Sequence, residues 1–384
     1  MSWKKVQIGN LVTLRQGFAI NKKTNHHMSE EPTQLNLLRI GDMKDGDFSI
    51  FVKDTIPEKF IAKKNDIIYT RTGQVGLVFR NQYGVVHNNC FTVTSNDESV
   101  LSQQYLYYAL QEESFYEEAN SRATGAAQAD LTHDAFNSIE VFLPPVEIQH
   151  NIAYILDSYN SLIENNQKQI KLLEEAAQRL YKEWFIDLRF PGYENVKIVD
   201  GVPEGWKKEK LTDIADVQYG FAFDGSLFNS QGKGTPIIRI RNIPTGTTND
   251  YTTQEADEQY IVYNGDIVVG MDGEFHINSW SGETAYLVQR TCKLAPKNEL
   301  MRGWLLQAIY EPIKFFEKTI VGATVAHLGK KHIDTIELLT GPDDLYLPFK
   351  DLFNKRQLLL NQNKLFAEAR DRLLPKLMSG EIEV

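Results

Sequence analysis

The chain has few cysteines and no long apolar run, and each shortage excludes a class of protein. Its 384 residues include two cysteines, Cys90 and Cys292, too few for the disulfide framework of a small secreted domain. They occupy matching places in two repeated stretches, so each is expected to be a separate, buried thiol. No apolar run approaches the roughly 18 residues that span a bilayer, and no signal peptide is recognisable at the start. The sequence therefore predicts a cytoplasmic protein without a membrane span.

The sequence also lacks the motifs of several enzyme classes. It contains no Asn/Asp-Pro-Pro-aromatic box of the kind found in adenine methyltransferases and no Gly-x-x-x-x-Gly-Lys-Ser/Thr phosphate loop. Pro342–Asp344 resembles the beginning of a nuclease site, but no Glu-x-Lys follows at the expected distance, so a turn is the better interpretation. His26 and His27 have no further metal ligands near them in the sequence. We therefore predict neither a catalytic site nor a metal site.

The charge balance is acidic, with 41 lysines and arginines against 51 aspartates and glutamates and a formal net charge of −10. Nucleic-acid-binding proteins usually carry a basic surface, because neutralising phosphates supplies much of their affinity. A nucleic-acid-binding role would therefore need a local basic surface, or a partner that supplies part of the positive field. The contents of 42% hydrophobic and 24% charged residues are those of an ordinary globular protein.

What the sequence does contain is a long internal repeat. Trp3–Lys5 and Gly17–Ala19 return as Trp206–Lys208 and Gly220–Ala222, and both pairs are 203 positions apart. A repeat this long indicates two copies of a whole domain and not a solenoid of short units. Later matches keep the same order: Leu38–Asp42 with Ile238–Asn242, Asn65–Ile68 with Gly265–Val268, Gly73 with Gly273, Gly125–Leu131 with Gly322–Leu328, and Ser138–Val141 with Thr335–Leu338.

A long helical segment is predicted after each copy. From about Glu147 to Phe185 there is no proline or glycine, and apolar residues recur at alternating steps of three and four, the pattern of a coiled coil. In the second copy the seam residues are seven apart, Pro375 is expected to disturb the helix, and Gly380 is expected to end it. The seam consists of Leu156, Tyr159, Ile163, Asn166, Ile170, Leu173, Ala177, Leu180 and Trp184 in the first helix and of Leu352, Leu359, Phe366 and Leu373 in the second.

Two arrangements of these helices remain open. They could form an antiparallel coiled coil, or each could cap its own domain. We favour the pair, because a seam this regular needs a facing seam and the chain contains one other. Asn166 would then meet Gln362 or Asn363 as a polar register marker. The alignment of the helices is not unique, since matching Arg179–Leu180 to Arg372–Leu373 gives a shift of 193 and matching the seams gives 196.

Each repeated domain mixes short β-rich runs with helices, so the predicted fold is α/β (α+β) around a curved sheet. Domains are predicted at residues 1–145 and 191–343, and helical spacers at 146–190 and 344–384, as a pseudo-twofold internal repeat. A helix is predicted at Ser102–Ala119 in the first copy and at Arg302–Thr319 in the second. The β-rich runs are Leu35–Ile40, Asp66–Arg71, Gly76–Arg80 and Phe91–Thr94, then Pro236–Ile240, Asp266–Gly270 and Tyr286–Val288.

One loop of each domain is rich in side chains that can contact the edges of bases. In the first domain Arg71 could contact a guanine and Gln74 an adenine, and in the second Asp272 or Glu274 could accept from a cytosine amine. The two loops share a glycine frame but differ in content, as expected for readers of different sequences, although exposed loops also diverge without a binding role. The candidates are Thr70, Arg71, Thr72, Gly73 and Gln74 in the first loop and Asp272, Gly273, Glu274 and His276 in the second.

Weaker candidates surround these loops. For any single one, a solvated or ion-paired role is commoner than a base contact. Arg39 and Arg239 are repeated beside strands and have a structural alternative. The weaker candidates are Asn88, Asn89, Gly125, Gln128, His327, Lys330 and Lys331 for bases and Lys22, Lys23, Arg239 and Arg241 for phosphates.

With the repeat, the seams and the missing chemistry together, the chain resembles the specificity subunits of type I restriction-modification systems. The resemblance covers essentially the whole chain in the order domain, helix, domain, helix. It is carried by the openings Trp3–Val6 and Trp206–Glu209, the strand Gly265–Val268, the helix Leu173–Phe185 and the C-terminal Leu373–Ile382.

The resemblance implies a non-catalytic subunit that recognises double-stranded DNA. Each domain would be a target recognition domain for one half of a bipartite, asymmetric site, and the helices would set the unread spacer. Two methylation subunits would carry S-adenosylmethionine, two restriction subunits would use ATP and Mg²⁺, and this chain would hold no cofactor. An adaptor scaffold that no longer binds DNA and a stand-alone hydrolase are the alternatives. The bases read and the spacer length are not predicted.

Overall fold

The computed structural model describes residues 3–125, 128–319 and 326–384. The chain forms two compact units, which we call unit 1 (Met1–Leu162 with Phe366–Val384) and unit 2 (Ile163–Leu365). Each unit therefore contains part of both long helices. Ala126 and Gly322–Ala323, which belong to the predicted repeat, lie outside the described residues. No helix in the described ranges is long and apolar enough to cross a membrane.

The strands of unit 1 form a strand pair, a four-stranded antiparallel sheet and a five-stranded sheet. In the five-stranded sheet β4 and β9 are parallel, and the other neighbours are antiparallel. The pair is β1 (Lys4–Gln7) and β11 (Glu140–Leu143); the four-stranded order is β2 (Val12–Gln16), β10 (Cys90–Ser95), β7 (Ile67–Thr70), β8 (Val78–Phe79); the five-stranded order is β3 (Met28–Ser29), β5 (Phe51–Val52), β4 (Leu35–Leu38), β9 (Gly84–Val86), β6 (Ile61–Ala62).

Unit 2 repeats this topology strand for strand. A short extra hairpin, β12 (Ile198–Val199) and β13 (Val202–Pro203), precedes it. The pair is β14 (Lys207–Lys210) and β24 (Glu337–Thr340); the four-stranded order is β15 (Ala215–Tyr219), β23 (Thr291–Pro296), β20 (Ile267–Gly270), β21 (Ile277–Ser279); the five-stranded order is β16 (Phe228–Asn229), β18 (Tyr251–Thr252), β17 (Thr235–Ile238), β22 (Ala285–Leu287), β19 (Ile261–Val262).

The two sheets of a unit replace the one curved sheet expected from the sequence. In unit 1 alternate residues of β7 pack against two different layers, the helices and the five-stranded sheet, because side chains of a strand point to opposite faces. Tyr69 packs with Tyr105 and Phe115 of the helices on one face. Ile68 packs on the other face with Leu38, which comes from the five-stranded sheet.

The repeated glycines mark the place where the chain leaves the four-stranded sheet. A Cβ at Gly17 would lie 2.2 Å from the carbonyl oxygen of His87, and one at Gly220 would lie 2.0 Å from that of Val288. Both distances are impossible for a real side chain. The Gly-Phe motif is therefore repeated because only glycine lets the two backbones approach this closely.

The helix predicted after the strands is two helices in each unit. In unit 1, α2 ends at Ala109 and α3 begins at Glu113; in unit 2 the break falls at Ile309. Apolar residues on both sides of each break belong to one core, so the apolar pattern continues although the axis changes. The helices outside the spacers are α1 (Ile40–Asp45), α2 (Gln103–Ala109), α3 (Glu113–Arg122), α4 (His133–Asn137), α6 (Leu211–Ile214), α7 (Arg302–Ala308), α8 (Tyr310–Thr319) and α9 (Lys330–Ile333).

The two long helices are present and slightly longer than the seams. Helix α5 is Val146–Tyr181, followed by a single π-turn at Lys182–Ile186. Helix α10 is Leu347–Ser379 and continues through Pro375, contrary to the expected disturbance. The proline lies in the last turns, where Leu377 and Met378 are buried in the unit 1 core and hold the helix in place. Gly380, with φ +76°, ends it as predicted.

In unit 1 the two helices contact each other through their seams. Leu156 is buried, and Leu373 packs against the same core. The rings of Tyr159 and Phe366 lie with centroids 6.3 Å apart. Arg370 Nη1 donates to Asn160 Oδ1 at 2.7 Å beside them.

In unit 2 the helices run antiparallel. Asn166 Nδ2 of α5 donates to Gln362 Oε1 of α10 at 3.4 Å, and Arg356 Nε of α10 donates to Glu174 Oε1 of α5 at 2.7 Å. Later residues of α5 therefore meet earlier residues of α10. The other seam residues of this unit are buried or half-buried: Ile163, Ile170, Leu173, Ala177, Leu180, Trp184, Leu352 and Leu359.

The two cysteines are free and buried, but they do not occupy matching places. Cys90 pairs with Thr70, whereas Cys292 pairs with Val269, one residue before the counterpart of Thr70. They therefore face opposite sides of their sheets, since one residue of shift reverses the face of a strand. Burial raises the pKa of both thiols to about 12.

Candidate nucleic-acid interface

The candidate residues of unit 1 lie where three neighbouring strands of the four-stranded sheet end. Gln16 is the last residue of β2, Arg71 follows β7, and Asn88–Asn89 precede β10. The register pairs Phe91 with Gln16 and its neighbour Cys90 with Thr70. The cluster is therefore built by the sheet itself and not by a single loop.

Arg71 is the centre of this cluster, but both of its terminal nitrogens are already engaged. Nη1 donates to Gln16 Oε1 at 3.0 Å, and Nη2 donates to Asp130 Oδ2 at 2.6 Å. Thr72 Oγ1 donates to the other oxygen of Asp130 at 2.6 Å. The Arg71 side chain is 21% exposed, and its Nε is buried without a partner among the described residues. Its geometry suits holding the cluster together better than reaching outward.

The protonation states in the cluster follow from these contacts. Burial opposes ionisation of Asp130, but the hydrogen bonds from Thr72 and Arg71 outweigh it and lower the pKa of the carboxyl. Burial and then the charge of Arg71 lower the pKa of His133. Gln16 Oε1 lies 3.0 Å from His133 Nε2 and is an acceptor, so the neutral imidazole carries its proton on Nε2. The cluster therefore contains one cation and one anion.

The exposed tip of unit 1 carries two amides and two glycines. Gln74 and Gln128 are exposed, and Lys44 Nζ donates to Gln74 Oε1 at 3.4 Å. Gly73 has φ +89°, a conformation that favours glycine. A Cβ at Gly73 would lie 3.1 Å from the side-chain nitrogen Nε2 of Gln128. Gly125 is also exposed and has φ +117°. The accessible groups of this tip are thus amides that both donate and accept.

Other candidates in unit 1 have structural positions. Thr70 is fully buried; its hydroxyl donates to the carbonyl of Gln74 and accepts from the amide of Leu77, so it supports the turn from inside. The carbonyl of Asn89 accepts from the amide of Arg71 at 2.8 Å, and the carbonyl of Asn88 accepts from Gln16 Nε2 at 2.6 Å.

In unit 2 the same backbone frame carries different side chains. The amide of Met271 donates to the carbonyl of Arg290 at 2.9 Å, as the amide of Arg71 does to that of Asn89 in unit 1. An isolated bridge joins Asp272 to His327, as another joins Thr72 to Asp130. Arg290 and His327 are therefore the counterparts of Asn89 and Asp130.

The charged cluster of unit 2 consists of Asp272, Arg290 and His327. Asp272 Oδ1 lies 2.5 Å from His327 Nδ1, and its Oδ2 lies 3.3 Å from Arg290 Nε. All three side chains are partly exposed, with Arg290 at 49% and His327 at 47%. The Arg290 guanidinium and the His327 imidazole therefore flank the carboxylate of Asp272. The arginine of this cluster is more exposed than Arg71 in the cluster of unit 1.

Gly273, Glu274 and His276 form the tip of the unit 2 loop. Gly273 is exposed with φ +69°. Glu274 is exposed, and its carboxylate lies 3.6 Å from His276 Nδ1 and 3.8 Å from Lys314 Nζ. This tip carries charged groups where unit 1 carries amides.

The remaining basic candidates lie in four separate places. Lys22 and Lys23 are exposed in the turn after β2, and Lys330 and Lys331 are exposed at the start of α9. Arg241 is paired with both oxygens of Asp250, and the Arg239 guanidinium lies 5.7 Å from the centre of the Phe228 ring.

Sequence reasoning missed Gln16, Asp130, His133 and Arg290 as members of these clusters. The repeat carried a signal for Arg290, because it aligns with the loop that contains Asn88–Asn89. No signal pointed to Gln16 or His133, since their contacts depend on strand register and on a return of the chain more than 50 residues later.

Comparison with known proteins agrees with this architecture. A sequence model of the type I restriction modification DNA specificity domain matches residues 1–175 and 203–342. The specificity subunit of the type I restriction enzyme MjaIX from Methanocaldococcus jannaschii is 26% identical over 344 residues, covering 84% of this chain and 79% of the relative. That of MjaVIII from the same organism is 25% identical and covers 100% and 93%.

A solved structure shows the same fold. The S subunit of a type I restriction-modification system from M. genitalium superposes with a TM-score of 0.59 at 18% identity, covering 98% of this chain and 96% of that one. The family match spans both repeats and most of the chain. The chain belongs to the type I restriction modification DNA specificity domain family.

Proposed function

We propose that this chain is the sequence-recognition subunit of a type I restriction-modification enzyme and that each unit reads one half of a bipartite site in double-stranded DNA. The observation that carries the proposal is the repeated frame: in both units a polar cluster lies where the loop after β7 or β20 meets the turn before β10 or β23 and the returning loop. The frame is held by backbone hydrogen bonds, so its side chains differ between the units without changing the fold. Two different readers on one scaffold suit an asymmetric target.

The exposed groups of each tip suit the edges of bases in the major groove. Gln74 and Gln128 of unit 1 offer amides, the groups that pair with adenine N6 and N7. Glu274 of unit 2 offers a carboxylate, which accepts from a cytosine amine. Lys22, Lys23, Lys330 and Lys331 are suited to phosphates, and such contacts fix position without reading sequence.

The long helices are proposed to set the spacer and to dock the methylation subunits. In unit 2, Leu172, Leu358 and Leu365 are exposed on the helices, and in unit 1 so are Tyr154 and Leu162. Large exposed apolar side chains along a helix pair are a feature of protein-binding surfaces. A partner there would also supply positive field that a chain of net charge −10 lacks.

Chemistry is assigned to the partners and not to this chain. The described residues contain no group of three or more His, Cys, Asp or Glu side chains that could hold a metal ion. We propose two methylation subunits with S-adenosylmethionine and two restriction subunits that use ATP and Mg²⁺. Such a division suits adenine methylation, which requires a base to be extruded from a duplex that is held in register.

The test is to express the chain with its methylation subunits in a host without other adenine methylation and to sequence the genome with methylation-sensitive long reads. We expect one motif with two specified halves and a fixed spacer. The matched control omits this chain and should show no motif. Methylation without sequence preference, or a motif that does not depend on this chain, would contradict the proposal and favour an adaptor.

A second experiment addresses the spacer. Seven residues inserted at matching places in α5 and α10 keep the seam and lengthen each helix by roughly 10 Å. The unread spacer should then grow by about three base pairs, at 3.4 Å for each. Four-residue insertions are the control, because they break the heptad pattern and should abolish methylation. An unchanged spacer would refute the proposed role of the helices.

A further inference from the structure

Arg290 has an unusual backbone. Its φ is +72°, and among the described non-glycine residues only Asn81, Leu188 and Asp200 also have positive φ. A side chain in this conformation is strained, and such strain persists where surrounding contacts fix it, often at functional sites. The residue lies in the turn between β22 and β23. Its counterpart in unit 1, Asn89, has no such conformation.

Contacts on one side fix the guanidinium. The carbonyl of Arg290 accepts from the amide of Met271 at 2.9 Å, and Nε lies 3.3 Å from Asp272 Oδ2. Nη1 lies 3.1 Å from Nδ1 and 3.4 Å from Nε2 of His327. His327 Nδ1 is already 2.5 Å from Asp272, so the nearly equal distances to the two ring nitrogens indicate that the guanidinium lies against the imidazole.

The other side of the guanidinium is available. Nη2 of Arg290 has no hydrogen-bond partner in the described part of the chain, and the side chain is half exposed. Arg71 differs, because Gln16 and Asp130 occupy both of its terminal nitrogens. Of these two cluster arginines, the one in unit 2 therefore presents a positioned donor edge to a ligand.

We propose that Arg290 is the residue of unit 2 that reads a guanine in the major groove, with Asp272 and His327 as positioning residues. The available Nη2 is a positioned guanidinium donor that matches the acceptors of guanine, O6 and N7. Asp272 and His327 hold the side chain before DNA arrives, so less conformational freedom is lost on binding. The inference rests on the proposed function, in which unit 2 reads one half-site.

A phosphate would also accept from this donor edge, and the two ligands give different outcomes. A base contact specifies sequence, whereas a phosphate contact strengthens binding to all sequences alike. The experiment compares the wild-type complex with Arg290→Ala in the methylation assay described above. Methylation at the original sites should fall roughly 10- to 100-fold, and one G·C position of one half-site should become degenerate. The other half-site should be unchanged.

Two further variants complete the design. Asp272→Asn should relax the same G·C position by a smaller factor, which a general loss of structure would not do. Arg189→Ala is the matched control, because Arg189 is also an exposed arginine of unit 2 and lies outside the cluster and the candidate DNA contacts. It should leave the motif unchanged.

The possible failures are distinguishable. If wild type methylates a bipartite motif and Arg290→Ala lowers the rate at every site without changing that motif, Arg290 contacts a phosphate and the inference is wrong. A change in the half-site read by unit 1, or no change at all, also overturns it. If the wild-type complex itself shows no bipartite motif, the proposed function fails instead.

Discussion

In unit 1 the arginine of the polar cluster, Arg71, follows β7, and its terminal nitrogens donate to Gln16 and Asp130. In unit 2 the arginine is Arg290, which comes from the turn before β23 and has a half-exposed side chain. Met271 occupies the place of Arg71 in unit 2 and is buried. The acidic residue also occupies a different position in each unit. Asp130 of unit 1 lies in the loop before α4, whereas Asp272 of unit 2 lies in the loop after β20. The two units thus place the arginine and the acid at different positions of the same frame.

This exchange is possible because backbone hydrogen bonds, which do not depend on the side chains, hold the frame in both units. Strand register and backbone hydrogen bonds from Arg71 to Asn89 and from Met271 to Arg290 hold both loops. A substitution of an exposed side chain in these loops therefore leaves the sheet intact.

The units also attach their helices differently. In unit 1, Arg80 of the domain pairs with Asp157 of α5 and lies 4.1 Å from the centre of the Tyr107 ring. In unit 2 the arginine is on the helix: Arg356 of α10 donates to Ser279 Oγ at 2.7 Å and to Asn278 Oδ1 at 3.0 Å. Each unit therefore has its own polar attachment between domain and helix.

The largest predicted effect is on this attachment. Arg356→Ala should destabilise unit 2 by roughly 2–4 kcal/mol, because the arginine is 11% exposed and its loss removes charge-assisted hydrogen bonds to a strand and to Glu174. Hydrogen exchange of the β21 amides measures the change. Arg80→Ala is the matched variant, and its effect should be confined to unit 1. An Arg356→Ala effect on unit 1 amides would show that the two attachments are not independent.

The second prediction compares the acids of the two clusters. Asp130→Asn should destabilise the unit 1 loop by about 1–3 kcal/mol, because it leaves the guanidinium of Arg71 without its counter-charge in a half-buried position. Asp272→Asn should cost less than about 1 kcal/mol, because Arg290 and His327 are more exposed. Exchange rates of the Leu131 and Leu328 amides, which both donate into these loops, report the two values. Equal losses would remove the contrast between a held and an available arginine.

The sequence predicted the repeat, the two long helices and most strands, because these depend on local pattern. Its errors arose where distant parts of the chain decide the outcome. Ser102–Ala119 has one continuous apolar pattern but forms two helices with different axes. Apolar residues of both helices pack into the same core. Pro375 is tolerated because unit 1 buries the turn around it.

The clusters were harder to predict than the fold. The loop Thr70–Gln74 was found from its composition, but composition does not show that Arg71 is occupied by Gln16 and Asp130, 55 and 59 positions away in the chain. The cysteines show the same limit. Aligning them by identity placed them together, and the strand register moved them by one residue onto opposite faces.

The third prediction concerns the polar pair in the seam. Asn166 is 6% exposed, and its hydrogen bond to Gln362 is long at 3.4 Å. Replacing both residues with leucine should stabilise unit 2 by about 1 kcal/mol, because the polar groups cost stability while they specify register. Asn166→Leu alone should destabilise by a similar amount, since Gln362 loses its partner. Thermal unfolding distinguishes the variants by a few degrees, and a double variant less stable than the single one would contradict this role.

The smallest predicted effect is a pH dependence of the loop that contains Arg71 in unit 1. Burial and the charge of Arg71 lower the pKa of His133 below its ordinary value of 6.5. A lowered pKa means that the stability from the neutral imidazole is complete above about pH 6.5 and is lost as the pH falls through the folded value. Between pH 7 and 5, protection of the Arg71 amide, corrected for intrinsic exchange, should fall a few-fold. His133→Gln should abolish the decrease and is the control, because the glutamine side chain cannot be protonated in this range. A His133 ring that titrates by NMR at or above 6.5 would show that the arginine does not act on it.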